Sequence, residues 1–170
     1  MLSFSMKIFY LLVGGDEIEG IDGKSFLKAL FGKEKEHRRF AYGIHNNIPE
    51  GTAYPIRSIR DKRYKLILNL TPEVEYFEKH LMNLKNERSV WASWIESTKT
   101  DKRARYFVDR YVKRPAIEFY DMQKDPWELN NLAEEKKYAK RIAMMKGELE
   151  AWMRQQGDTG AQMDVKIKKQ

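Results

Sequence analysis

The chain has 170 residues, 42% of them hydrophobic and 12% aromatic, which suits one domain with a sizeable core and excludes disorder of the whole. A balance of 32 Lys+Arg against 25 Asp+Glu gives +7, which admits nucleic acid, anionic membrane or polyanionic carbohydrate without selecting one; acids and bases are mixed along the chain as on a solvated, mildly basic surface. With no cysteine there are no disulfides, thiolate metal sites or Cys nucleophiles, and no stretch reaches the roughly 18 apolar residues a membrane-spanning helix needs.

In chain order, the apolar run Ile8–Val13 lacks a basic region before it and a small-x-small cleavage site after it, so no signal peptide is expected and no compartment is indicated. Gly14-Gly15-Asp16 interrupts it. The stretch from Ile21 to Leu27 is turn chemistry, with Ser25 placed to cap a short helix to Phe31, and Lys33–Arg39 is a charged connection. Phe40–His45 is rich in strand formers, and Asn46–Gly51 is a loop by composition. Thr52–Arg60 and Tyr64–Leu70 flank Asp61-Lys62-Arg63 and form a hairpin. Tyr64, Leu66, Leu68 and Leu70 share one face and Lys65, Ile67 and Asn69 the other, which predicts one buried face. Pro55 lacks a ladder donor, so its strand is at an edge or begins regular pairing beyond it.

Thr71-Pro72 ends that strand, and the acids of Glu73-Val74-Glu75 suit a first helical turn, so residues 73–114 are predicted mainly helical. Val90, Trp91, Trp94 and Ile95 make one apolar stripe; Tyr106, Phe107, Arg110 and Tyr111 make another. Arg114-Pro115 closes the segment and Ala116–Tyr120 is a further short strand. In Lys124-Asp125-Pro126-Trp127-Glu128, Asp125 can cap a single helical turn with Pro at its first position and Glu128 three residues on, and Asn130-Asn131-Leu132 suits a second tight turn. Asp121, Asp125 and Glu128 lack the oxygen-ligand spacing of a calcium loop, so the stretch is a rigid connector. Tyr138, Ile142, Met145, Leu149 and Trp152 recur at helical spacing on one side of a long helix that Gly157 stops, and Asp158–Gln170 is expected to be a mobile tail.

Three pieces in this order carry a resemblance: Ile21–Leu27, then Tyr54-Pro55-Ile56-Arg57-Ser58-Ile59-Arg60-Asp61-Lys62-Arg63-Tyr64-Lys65-Leu66-Ile67, then Phe119–Leu132 with its Tyr-Asp, Asp-Pro-x-Glu and Asn-Asn-Leu. The series resembles the C-terminal region of the type I, formylglycine-dependent sulfatases, most nearly the branch that includes heparan N-sulfatase, over about residues 8–157. The resemblance implies an α/β parent of alkaline-phosphatase-like topology that hydrolyses sulfate esters or sulfamates with a formylglycine, made from Cys or Ser in a C/S-x-P-x-R motif, and a calcium ion held by Asp and Asn. It also implies an α+β subdomain here, an antiparallel sheet of about four strands packed by a long C-terminal helix, with extra helices inserted between strands. Residues 1–38 are then the end of the catalytic domain and a linker, 39–157 the subdomain, and 158–170 the tail.

The nucleophile motif is absent: Ser58 is followed by Ile59-Arg60, and there is no paired-Asp cluster near the start. No catalytic residue, metal ligand or cofactor site is therefore assigned to this chain, and formylglycine and calcium are expected in a catalytic portion upstream, which becomes its expected partner. Three residues are candidates for a substrate rim. His45 and Asn46 lie where the first strand meets its loop, an end that by resemblance points to the parent's active-site cleft; an ordinary loop histidine fits the spelling equally. The guanidinium fork of Arg57 matches the oxygens of a sulfated carbohydrate. Arg60, Arg63 and Lys65 crowd the same hairpin, where charges also prevent edge-to-edge pairing. Trp91 and Trp94 could stack on sugars, although a pair three apart on a helix is more often core. The expected function is a sulfatase C-terminal piece that is inactive alone. The rival is a free-standing basic module for sulfated glycan, with nucleic acid less favoured, and an apolar face left uncovered would favour self-association.

Overall fold

A computed structural model describes residues 26–49, 51–82, 84 and 89–165. The chain divides after Arg39 into the units Met1–Arg39 and Phe40–Gln170. In the first, the described part is the short helix α1 (Leu27–Leu30), which ends at Gly32 with φ +68°. The expected signal-peptide test and the Ser25 cap fall outside the described residues.

The second unit is built on four antiparallel strands in the order β1 (Ala41–His45), β2 (Ile56–Arg60), β3 (Tyr64–Asn69) and β4 (Ile117–Asp121). The β2–β3 turn closes on Asp61: its Oδ1 accepts from Arg63 N at 2.8 Å and Tyr64 N at 2.7 Å, which sets the register Ile59↔Leu66. Pro55 sits before the first paired residue of β2, and its carbonyl accepts from Leu70 N, so the missing N–H costs the ladder nothing. The opposite edge is covered by the Asn131-Leu132 segment. Asn131 Oδ1 accepts from Phe119 N, its Nδ2 donates to Ile117 O, and Leu132 N donates to Phe119 O, so β4 finds the partners a fifth strand would supply.

Alternation along the strands divides the side chains into two sets. Ile59, Leu66, Leu68 and Phe119 face the long helix α4, whose range follows from the periodic stripe: a 3-10 turn, Lys136–Tyr138, leads into Ala139–Gln155. Tyr138, Ile142, Met145, Leu149 and Trp152 all pack on this face, and Trp152 stacks on Tyr42 with centroids 4.7 Å apart. The other set was expected to meet water, and it does not. Ile67 is half-buried, and Asn69, Glu118 and Tyr120 are buried, because the β3–β4 connection carries two helices near that face, α2 (Val90–Ser97) and α3 (Lys102–Val112).

Residues 73–82, predicted helical, instead make turns and a second core. Tyr76 N donates to Val112 O, Glu78 pairs with Gly51 in an isolated bridge, and the Glu78 carboxylate accepts from His80 N and Leu81 N. The rings of Tyr54, Tyr76 and Tyr111 surround the Arg114 guanidinium at 5.9, 4.5 and 5.4 Å from their centroids. Local helix signals lose here to aromatic packing between distant segments. The Asp125 turn is also not helical: Asp125 Oδ2 accepts from Asn130 N at 2.7 Å, and Glu128 adopts φ 55°.

Of the tail expected to be mobile, the described part, residues 158–165, is folded against the sheet. Gly157 (φ +69°) ends α4 with Gly157 N donating to Arg154 O and Asp158 N to Met153 O, the paired bonds of a Schellman ending. The chain then turns at Gly160 into α5 (Ala161–Val165). No described helix is long and apolar enough to cross a membrane.

Leu149 is fully buried among Ile59, Leu66 and Phe119, so Leu149→Ala is expected to lower unfolding free energy by about 3 kcal/mol in a urea titration. Gly147, two residues earlier, has open space where a Cβ would go, so Gly147→Ala should raise stability by up to about 1 kcal/mol.

Candidate functional site

His45 ends β1 opposite Ile56 and is exposed, with its ring 6.3 Å from that of Tyr76. The loop it leads into is closed by Asn46, whose carbonyl accepts from Tyr54 N at 2.9 Å and whose Oδ1 accepts from Ile48 N at 3.1 Å. Asn47 is buried at φ 62°, and its Nδ2 donates to Thr52 O at 2.9 Å and Phe77 O at 2.7 Å. Gly51 has no substitute here, since a Cβ would lie 1.8 Å from Phe77 O. Sequence reasoning chose Asn46 and passed over Asn47. The αL tolerance of Asn in a loop was the available signal, but its partner Phe77 lies 30 residues on.

Arg57 is not at this rim. Its neighbour Ile56 shares a face with His45, so Arg57 points to the opposite face of the sheet, and its side chain is 1% exposed. Nε donates to Asp158 Oδ2 at 2.5 Å, Nη2 to Asp158 Oδ1 at 3.1 Å and Asp164 Oδ2 at 2.8 Å, and Nη1 to Ile56 O at 3.1 Å. The fork is spent inside the chain, fastening the segment after α4. Burial pulls the guanidinium pKa down, and the two carboxylates more than offset it. Arg63 is likewise held by Asp121, with Nη2 2.7 Å from Oδ2, and Lys65 by Glu128 at 2.9 Å. Asn69 is buried and donates to Pro115 O and Glu118 Oε1.

The second face of the sheet forms the floor of a cleft of about 710 Å³ under α2 and α3. Glu118 lies buried at the floor, accepting from Asn69 Nδ2 at 2.8 Å and from the Tyr120 hydroxyl at 2.5 Å. Burial, then the bond to Glu118, raises the Tyr120 pKa, so the hydroxyl stays a donor. Arg110 of α3 donates to Tyr120 Oη at 2.7 Å and to the carbonyls of Glu128 and Leu129. Trp94 and Trp127 stand on the walls. Trp91, the other half of the suspected stacking pair, is core. Among the described residues no three His, Asp or Glu side chains converge as a metal site would require.

No family model matches the chain. It is 34% identical over 159 residues to an ulvan-active sulfatase of Formosa agariphila, a match covering 90% of this chain and 28% of that protein. It is 25% identical over 152 residues to the human N-sulphoglucosamine sulphohydrolase, covering 84% of this chain and 28% of that one. Among solved structures, one of a protein in complex with its substrate D-glucosamine-2-N,6-O-disulfate superposes with TM-score 0.55 at 21% identity, over 90% of this chain and 24% of the other. A 2-O GAG sulfatase superposes with TM-score 0.54 at 20% identity, over 89% and 24%. The chain thus spans about a quarter of the length of the relatives it matches.

Asp158 has its pKa lowered chiefly by Arg57, so its contribution to stability is complete above the unfolded-chain value of about 4 and is lost as pH falls through the folded value. Asp158→Asn should therefore cost about 3 kcal/mol at pH 7 by urea unfolding, and its gap from the unaltered chain should narrow below about pH 4.

Proposed function

We propose, from the premise that this chain corresponds to the C-terminal region of a sulfatase, that it completes a sulfatase acting on sulfated carbohydrate and hydrolyses nothing alone. The observation that carries this is the 34% identity over 90% of the chain to one quarter of an ulvan-active sulfatase. Formylglycine and calcium do not fit the residues present: the sequence has no cysteine and no Ser-x-Pro-x-Arg, and no described cluster could hold a cation. Both belong to the catalytic portion that this chain would adjoin.

His45 and Asn46 are the rim residues of this reading. The Asn46–Tyr54 and Asn47–Phe77 bonds fix the loop, so an imidazole at its mouth can donate to a sulfate or sugar oxygen without the cost of ordering the loop itself. Ile44, beside His45 on the other face of β1, and Phe77 are large apolar side chains left exposed, which suits a surface covered by the remainder of the enzyme. The free-standing basic module is weakened, because Arg57, Arg63 and Lys65 already hold carboxylates of their own chain.

The purified chain, incubated with ulvan oligosaccharides, should release no sulfate above a protein-free blank; turnover would overturn the reading. Grafted in place of the matching quarter of the Formosa enzyme, residues 26–165 should support sulfate release. In that graft, His45→Ala should raise KM about tenfold with kcat changed less than threefold, the pattern of lost uniform binding. A folded graft without activity would count against the assignment.

A further inference from the structure

We propose that the cleft beneath α2 and α3 is a second, non-hydrolytic saccharide site, with Trp127 as the stacking platform. Trp127 is 80% exposed, an unusual position for the largest apolar side chain, and it is not loosely held. Pro126 precedes it, Glu128 follows at φ 55°, Asp125 Oδ2 accepts from Asn130 N, and Arg110 grips the carbonyls of Glu128 and Leu129. A non-glycine residue in the left-handed region costs on the order of 1 kcal/mol and persists only where its surroundings impose it. Here the imposed turn holds an indole in water beside a cleft.

The groups behind that indole match a sugar ring. Trp94, 44% exposed, offers a second aromatic surface on α2, and pyranose C–H faces stack on such rings. The Lys65–Glu128 pair at the edge supplies donors and acceptors for hydroxyls, and the Glu118 carboxylate on the floor has acceptor capacity beyond its two bonds. Lys65, Arg110 and Arg114 are matched by Asp101, Glu118 and Glu128, so the lining carries no net charge. A cleft built to capture sulfate would show a cationic excess. Stacking and hydroxyl bonding without charge selection fit the neutral part of a glycan. The choice of glycan rests on the proposed sulfatase reading; the site itself rests on the cleft.

The test is calorimetric titration of the 170-residue chain with ulvan oligosaccharides and their chemically desulfated counterparts. Both should bind with affinities within threefold of each other, and affinity should change less than threefold between 50 and 500 mM salt, where phosphate- or sulfate-type contacts would lose orders of magnitude. Trp127→Ala should weaken binding at least tenfold with an unchanged urea midpoint, since an exposed side chain leaves no cavity. Absence of binding by either probe, a steep salt dependence, or an unaltered affinity in Trp127→Ala would each overturn the proposal. Failure here leaves the sulfatase assignment standing, and sulfate release by the chain would overturn that assignment without touching this one.

Discussion

A carboxylate buried under a helix must be hydrogen-bonded, and the way Glu118 meets that demand organises one whole side of the molecule. Each of its oxygens accepts one bond, from Asn69 of β3 and from Tyr120 of its own strand, and the Tyr120 oxygen in turn accepts from Arg110 of α3. One connected network therefore ties the sheet to α3 through bonds that a purely apolar contact would not orient. Arg110 does more than close the network. By holding the Glu128 and Leu129 carbonyls as well, it ties α3 to the turn after β4, and both line the cleft.

The opposite side is organised by burial of apolar surface, with one ionic exception. Ile59, Leu66, Phe119, Met145 and Leu149 need only be dry and close. Arg57, next along β2 on the same face, would be intolerable there without compensation, and Asp158 and Asp164 provide it. The Schellman ending at Gly157 brings Asp158 to the guanidinium at the end of α4, so the helix stop and the ion pair are one device. Through Asp158 and Asp164, Arg57 fastens the segment 158–165 to the sheet.

Much of this is legible in sequence where period and local chemistry decide. The five-residue stripe of α4, the hairpin around Asp61, the strand read at 116–120 and formed at 117–121, and the stop at Gly157 all rest on neighbours within a few residues. The errors share a cause. The acids at 73–75 look like a first helical turn until Tyr76 is claimed by Val112 and Arg114; the tail looks mobile until Arg57 claims it; Arg57 looks like an anion ligand until strand alternation turns it inward. Each depends on a partner 36 to 107 residues away or on which face a neighbour covers, and no local pattern encodes either. His45 and Asn46 could be singled out because a strand end meeting an Asn-rich loop is a local feature; the cleft was missed because its lining comes from segments far apart in the chain.

The stretch Phe119–Glu135 shows how one segment serves both sides. Its strand buries Phe119 against α4 and Glu118–Tyr120 against α3, its Asn131 finishes the sheet edge, and Leu132 enters the apolar core. A connector needing only those anchors could pass from Asp121 to Asn131 through any tight polar turn. The turn present instead carries a left-handed Glu128, two carbonyls clamped by one arginine, and an indole held out in solvent. Anchoring explains the clamps, since they stiffen the passage from sheet to helix. It does not explain the indole, whose burial would be the favourable outcome for a chain optimising stability alone, and that asymmetry separates a turn that merely joins two elements from one that also presents a side chain.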